Sequence, residues 1–255
     1  MKKSTRFFCC LCAGVITGIG MEKATKKKQQ TAKIKGTHIP FGPYEAFFKR
    51  PLDILLAGSA LILLSPIMGI TALLVKVKLG SPVLFKQERT GVQGKSFFLY
   101  KFRSMSNEMD SAGQLLSDEI RLGSFGKKLR ATSIDELPSL WNVIRGDISL
   151  IGPRPLPTRY LKWYTKKEQK RHEIRPGITG LAQINGRNYV SWEDKFHMDV
   201  QYTNHISMKL DIYIIFKTLF VVLKHSNIDT GSYLKHDGIV YKPLDVERIE
   251  KLKSS

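Results

Sequence analysis

The sequence predicts a helix-rich α+β fold: a globular domain carrying one membrane helix hairpin, broken at a Ser-Pro pair, towards its N-terminus. Three observations carry that reading. One stretch, Leu52 to Val75, is apolar over helix-spanning length. Two short strand-like segments, SPVLFKQERTG and KSFFLYKFRSM, flank a turn at 91–94. Several helical patterns follow them. The 255 residues are 42% hydrophobic, enough to bury a core and to exclude wholesale disorder. The expected organisation is an N-terminal extension at 1–43, a membrane-associated segment at 44–79, a globular domain at 80–226 and a tail at 227–255.

The extension opens with a basic start and a short apolar run from Phe7 to Gly20. It reads as a signal peptide, as a weak anchor, or as sequence upstream of a true start at Met21. Residues 22–43 are polar and basic, which suits a solvated tail or a tether to a membrane surface. The Leu52–Val75 stretch would measure ~36 Å as a straight helix, enough to cross a ~30 Å hydrocarbon core. Two features favour a re-entrant hairpin over a crossing. Ser65-Pro66 lies near the middle, where proline removes a backbone donor. Both flanks are basic, with Lys49 and Arg50 before and Lys76 and Lys78 after, so the asymmetry of a true span is missing. The Ser65 hydroxyl can serve a backbone group freed at the break.

Within the globular part, 106–128 reads as partly helical, and LPSLWNVIRG has helical spacing at Leu137, Leu140, Trp141 and Ile144. Residues 157–173 form a basic amphipathic segment with three aromatics. SWEDKFHMDVQYTNH and LDIYIIFKTLFVVLKHS read as two helices. Asp211, Lys217 and Lys224 make the second a core or membrane-surface helix rather than a span. The last twenty or so residues read as irregular.

The charge sum is 41 basic against 22 acidic residues, or +19. That excess calls for an anionic partner: nucleic acid, an anionic membrane surface or a phosphorylated substrate. Three cysteines, all between Cys9 and Cys12, cannot staple the body, so a disulfide framework or structural zinc site is excluded. The histidines show no metal-ligand spacing, and most read as surface residues.

Three clusters can do chemistry. In KKLRATSIDELP, Asp135 and Glu136 stand at the start of a helical pattern, just after a basic run. Ser133 with Glu136 fits a capping box. The same place suits chemistry: one carboxylate as nucleophile, the other on Mg²⁺, and Arg130 on phosphate oxygens. In GDISLIGPRP, prolines on both sides of Arg154 fix the backbone and hold one guanidinium in place. In RPGITGLAQINGRN, glycines let backbone approach a ligand between Arg175 and Arg187, although the spacing is not that of a phosphate-binding Walker loop. Lys101 and Arg103 alternate along a strand and can face one ligand. Asp199 sits on a helix beside aromatics. Each cluster also has an ordinary structural reading: a helix cap, a rigid turn, a solvated strand face.

Taken together, KRPLDILLAGSALILLSP, PVLFKQERTG, YKFRSM, LRATSIDELPSLWNVIRGDISLIGPRP, RPGITGLAQINGRN and SWEDKFHMDVQY resemble the bacterial sugar transferases. These are the monotopic polyprenyl-phosphate phosphoglycosyl transferases that start capsule, exopolysaccharide and glycan assembly. The resemblance runs from Tyr44 to Ser226 and is to the small form of the family. It implies an undecaprenyl-phosphate sugar phosphotransferase that moves a sugar-1-phosphate from a UDP-sugar to polyprenyl phosphate and releases UMP. It implies Asp135 as the nucleophile of a covalent phosphosugar intermediate and Glu136 as a Mg²⁺ ligand. Arg130 and Arg154 are implied as phosphate holders and Asp199 as a functional acid. Ser65 and Pro66 match the family's membrane helix break. The implied place is the cytoplasmic membrane of a bacterium, with the catalytic domain facing the cytoplasm. Anionic lipids and other glycan-assembly enzymes are the further partners; nucleic acid is not expected.

The sequence departs from the family pattern at Ser139, where glutamine is common, and at Gln201 and Thr203, which replace a tyrosine and a valine. Two other classes fit the composition: a membrane-tethered nucleic-acid-binding protein, and an inactive assembly scaffold. The first lacks any recognisable nucleic-acid motif, and the intact Arg130, Asp135 and Glu136 argue against the second.

Overall fold

The computed structural model describes residues 38–185, 190–223, 234–236, 239–241 and 244–253. Arg187 and the apolar run at 7–20 lie outside them.

Helix α1, Lys49–Leu79, follows a π-turn at Tyr44–Phe48 and is the one described helix long and apolar enough to cross a membrane. Asp53, Ala57, Thr71 and Val75 are buried at i, i+4 spacing near its two ends and face the domain. Ile54, Leu55, Ile62, Leu63, Ile70, Leu73 and Val77 are exposed. So much exposed apolar surface excludes a core helix of a water-soluble domain. Helical backbone continues through Ser65-Pro66, where the sequence predicted a break. The reason is local. Pro66 has no N–H for the Ile62 carbonyl four residues back, and the Ser65 hydroxyl donates to that oxygen at 2.8 Å.

Both ends of α1 are tied to the rest of the chain. Near the N-terminal end, Asp53 accepts from Ser149 Oγ at 2.6 Å and from the Leu150 amide at 3.2 Å. Lys49 Nζ lies 2.7 Å from Asp211, which also accepts from Tyr44 and Tyr202. Ala57 packs in a cluster with Leu99, Leu140, Val143 and Ile148. Towards the C-terminal end, Val75 shares a cluster with Phe102 and Leu129.

Strands β1 (Leu84–Thr90) and β2 (Ser96–Phe102) form an antiparallel hairpin as the sequence indicated, with Phe85 opposite Lys101 and Arg89 opposite Phe97. Helix α2 covers Asp118–Ala131. The LPSLWNVIRG pattern divides into a 3₁₀ turn, Ile134–Ser139, and the short helix α3, Leu140–Arg145. Strands β3 (Ser149–Ile151) and β4 (Gly177–Thr179) pair in parallel. They are too short to be read from the sequence, where three residues give no period. The 157–173 segment is not one amphipathic helix. It makes two 3₁₀ turns, Thr158–Trp163 and Glu168–His172, because the buried Tyr160 and Tyr164 point into a cluster with Phe196 and Leu244.

Helices α4 (Leu181–Ile184), α5 (Trp192–Asn204) and α6 (Met208–Leu223) follow. The two long ones match the sequence reading. On α6, Asp211 and Ile214 are buried, while Ile212, Phe216, Leu219 and Phe220 are exposed. The C-terminal part is not irregular. It contains strands β5 (Leu234–His236) and β6 (Ile239–Tyr241) and helix α7 (Leu244–Lys253). Leu244 is fully buried, and Arg248 reaches Glu168 at 2.6 Å, so tertiary contacts order a segment of weak intrinsic pattern.

Candidate active site

The chain enters the Asp135-Glu136 turn through Ser133, whose left-handed backbone (φ 56°) ends the helical run of α2. That conformation replaces the expected capping box: Ser133 makes no side-chain cap, and its carbonyl accepts from the Glu136 amide at 3.1 Å. Glu136 turns instead to two cations. Its Oε1 accepts from Lys101 Nζ at 2.6 Å and from Arg154 Nη2 at 3.2 Å. Asp135 is 8% exposed, and no hydrogen bond among the described residues holds its carboxylate. Ser139 donates to the Glu136 carbonyl at 2.6 Å and closes the turn.

The two neighbours are driven apart electrostatically. Burial, with the Glu136 charge second, pushes the Asp135 carboxyl up to about 6, against the pull of Lys101, Arg130 and Arg154. Burial alone would raise Glu136 too, but Lys101 and Arg154 outweigh it and hold Glu136 well below the usual carboxylate range. Glu136 is therefore a fixed anion. Asp135 is a carboxylate of raised basicity with no hydrogen-bond partner among the described residues.

Arg154 comes from the Pro153–Pro155 loop, which is pinned at every carbonyl. Pro153 O accepts from the Gly177 amide (2.9 Å), Arg154 O from Arg171 Nη2 (2.6 Å), Pro155 O from Arg89 Nη1 (3.3 Å) and Leu156 O from the Thr90 amide (2.9 Å). Glycines make this possible. A Cβ on Gly177 would lie 2.1 Å from Gly152 N, and one on Gly180 would lie 2.1 Å from Gly152 O. The backbone these glycines admit is that of the β3–β4 pair rather than a ligand.

Of the residues singled out in the sequence, Asp135, Glu136, Lys101 and Arg154 are brought together. Arg130 is near enough for its charge to act on Asp135, and its Nε donates to Ser104 Oγ at 3.0 Å. Three others are placed elsewhere. Strand β2 ends at Phe102, so the alternation that carries Lys101 to the dyad stops before Arg103. That side chain is buried with Nη1 on the Ser81 carbonyl at 2.8 Å. Arg175 donates to the Gly146 carbonyl at the end of α3 at 3.2 Å. Asp199 is buried on α5 and accepts two bonds from Arg171, at 2.9 and 2.8 Å. Burial alone would lower the Arg171 pKa, but Asp199 outweighs it and the guanidinium is held charged. Asp199 thus reaches the site through Arg171 and the Arg154 carbonyl. His172, next in sequence, is buried against Tyr164, not on the surface.

Sequence reasoning missed two residues. Arg171 lay in the 157–173 segment, read only as basic and amphipathic. Arg89 lay in the FKQERTG segment, where its register opposite Phe97 places it on the same hairpin face as Lys101. Arg89, Lys101, Glu136, Ser139, Arg154, Leu99, Ile148 and Ile178 line one open cleft.

Residues 44–225 match the sequence profile of the family described as bacterial sugar transferase. The chain belongs to the bacterial sugar transferase family. The match covers nearly the span over which the motifs resemble that family. Similar proteins agree. "Uncharacterized sugar transferase EpsL" of Bacillus subtilis (strain 168) is 50% identical over 186 residues, 73% of this chain and 92% of that protein. "UDP-N-acetylgalactosamine-undecaprenyl-phosphate N-acetylgalactosaminephosphotransferase" of Aeromonas hydrophila is 39% identical over 196 residues, 74% of this chain and 46% of that protein. "UDP-glucose:undecaprenyl-phosphate glucose-1-phosphate transferase" of Klebsiella pneumoniae is 38% identical over 209 residues, 76% of this chain and 45% of that protein. The chain therefore spans most of the first relative and under half of the other two. As a sugar transferase the chain is an enzyme, and the cleft lined by Arg89, Lys101, Glu136 and Arg154 lies beside Asp135.

Proposed function

We propose that this sugar transferase moves a sugar-1-phosphate from a UDP-sugar to polyprenyl phosphate in two displacements at Asp135. In the first, an Asp135 carboxylate oxygen attacks the phosphorus that bears the sugar. The bond from that phosphorus to the oxygen bridging the two phosphates breaks, and UMP leaves with the electron pair. In the second, an oxygen of polyprenyl phosphate attacks the same phosphorus, and the Asp135–phosphorus bond breaks. The products are polyprenyl-diphosphate sugar and the free carboxylate. Splitting one transfer into two means that UMP can depart before the lipid phosphate arrives, so the two anionic substrates need not meet.

The observation that carries this reading is the division of labour in the dyad. Asp135 is unrestrained and of raised basicity, while Glu136 is clamped by Lys101 and Arg154. Arg154, Lys101 and Arg130 would hold the phosphate oxygens and offset charge as it develops. Glu136 engages both cations through Oε1 alone, which leaves Oε2 for a metal. Among the described residues no three acidic, His or Cys side chains converge. A single carboxylate oxygen suits Mg²⁺, which takes its remaining ligands from substrate phosphates and water. When bound, Mg²⁺ would supply positive charge to the diphosphate.

We further infer that α1 is re-entrant and that the domain sits on the cytoplasmic face of the membrane. Thirty-one helical residues measure ~46 Å when straight. A crossing of the bilayer would carry one end of α1 away from the domain. Ties to Ser149 near one end and to Phe102 and Leu129 near the other support entry and exit by the same face. A bend at Ser65-Pro66 would then form the apex, and the basic surface would favour anionic lipid.

The test is UMP release from the detergent-solubilised protein with Mg²⁺, undecaprenyl phosphate and a panel of UDP-sugars, beside Asp135→Asn. Sugar-dependent release that disappears in the variant, with a phosphosugar mass adduct on the Asp135 peptide, is the expected result. UMP release that survives in Asp135→Asn would remove the covalent mechanism.

A further inference from the structure

Arg89 is a half-buried cation with no anion of its own among the described residues. Its Nε lies 3.1 Å from Gln87 Oε1, Nη2 donates to the same oxygen, and Nη1 reaches Pro155 O at 3.3 Å. All of these acceptors are neutral. The carboxylate near it, Glu136, is already engaged by Lys101 and Arg154. Burial, and then the Arg154 charge, lower the Arg89 guanidinium to about 10. Three cations therefore line the cleft with one carboxylate, leaving a local excess of two positive charges. Burying a charge in this way is costly unless a partner compensates it.

The placement is directional. β1 and β2 pair with Arg89 opposite Phe97 and Phe85 opposite Lys101, so Arg89 and Lys101 project from one face of the hairpin. Arg154 faces them from a loop held at four successive carbonyls, one of them by Arg89 itself. A guanidinium fork beside a second guanidinium and an ammonium matches the oxygens of a phosphate group.

We propose that Arg89, with Arg154 and Lys101, is a binding site for a substrate phosphate group, in the first place the diphosphate of the nucleotide donor. The proposal rests on the transferase reading of the cleft and adds a residue to it. A lipid phosphate has the same chemistry, and the experiment separates the two sources.

The experiment measures binding of UDP, inorganic pyrophosphate and a short-chain polyprenyl phosphate to the solubilised full chain. Intrinsic fluorescence or thermal stabilisation is the readout, with wild type, Arg89→Gln and Arg89→Lys compared. Loss of charge-assisted bonds predicts UDP and pyrophosphate binding weakened about tenfold or more in Arg89→Gln. The Lys variant keeps the charge but loses the fork, so its loss should be intermediate. The unliganded Lys variant should melt close to wild type, which keeps the test valid if the Gln variant folds poorly. Weakening confined to polyprenyl phosphate would keep the phosphate site and assign it to the acceptor. UDP, pyrophosphate and lipid affinities all unchanged in folded Arg89 variants would overturn the proposal. If wild type turns over while those affinities are unchanged, this inference alone falls. If wild type binds UDP through Arg89 yet releases no UMP with any sugar, the transferase reading falls and the site stands.

Discussion

Replacing Asp135 by asparagine should abolish UMP release and stabilise the protein. Burial and the neighbouring Glu136 charge move the Asp135 carboxyl from 3.8 to about 6. Each pKa unit is worth about 1.4 kcal/mol, so an ionised Asp135 costs the folded state up to about 3 kcal/mol at neutral pH. Its low exposure leaves little solvent screening to reduce that figure. Asparagine has nearly the same shape and no charge. The sign follows from linkage. The folded state holds this proton more tightly than the unfolded chain, so the cost is fully present above about pH 6 and gone by about pH 4. The melting temperature of Asp135→Asn in metal-free buffer should therefore exceed that of wild type by several degrees at pH 7.5. The gap should close as pH falls from about 6 to about 4. Comparing the two proteins at each pH cancels the other carboxylates. An asparagine variant that melts at or below wild type at pH 7.5, or a gap that ignores pH, would refute the account of Asp135 as a strained, unpartnered anion.

Further outcomes follow from neighbouring contacts. UMP release should fall as pH drops through about 6, because a nucleophilic carboxylate must be ionised; a rate profile flat from pH 7.5 to 5 would contradict this. Asp199→Asn leaves Arg171 buried without its counter-charge and should cost about 3–5 kcal/mol, read by thermal melting. A milder Arg171→Lys variant should fold yet lose activity, because the Arg154 carbonyl loses its short bond. Gly177→Ala would drive a methyl to within 2.1 Å of Gly152 N, so soluble, folded yield should drop sharply. Lys101→Met removes the shortest bond to Glu136 and should slow UMP release while leaving the melting temperature within a few degrees.

How much of this could be read in advance depended on whether a residue's partner was local. The β1–β2 hairpin, α5 and α6 follow from period alone, and Lys101, Arg154 and the dyad sit in motifs whose spacing already suggested a site. The β3–β4 pair did not, because parallel pairing joins Ser149 to Gly177 across 28 positions of sequence. The glycines of RPGITG looked like a ligand cradle for the same reason: the surface they approach is Gly152, far away in the chain. Asp199 looked like a lone acid on a helix because its partner, Arg171, was hidden in a basic run. Arg103 looked paired with Lys101 because nothing in YKFRSM shows that the strand stops at Phe102. In each case a long-range contact decided the side chain's direction, and periodicity is blind to such contacts.

The 3₁₀ turn explains why adjacent carboxylates can have opposite electrostatics. With three residues per turn, consecutive side chains diverge by about 120°. Glu136 can then bond Lys101 and Arg154 while Asp135, near enough to feel both charges, takes no hydrogen bond among the described residues. An α-helix entered through a capping box would have turned Glu136 back onto the Ser133 amide and taken it out of the cleft. The left-handed Ser133 prevents that cap, and Ser139 closes the turn onto the Glu136 carbonyl. Two identical functional groups, one residue apart, are thereby given different tasks by the turn and by the charges and burial it brings to each: one anchors cations, and the other keeps a raised basicity that the chemistry can use.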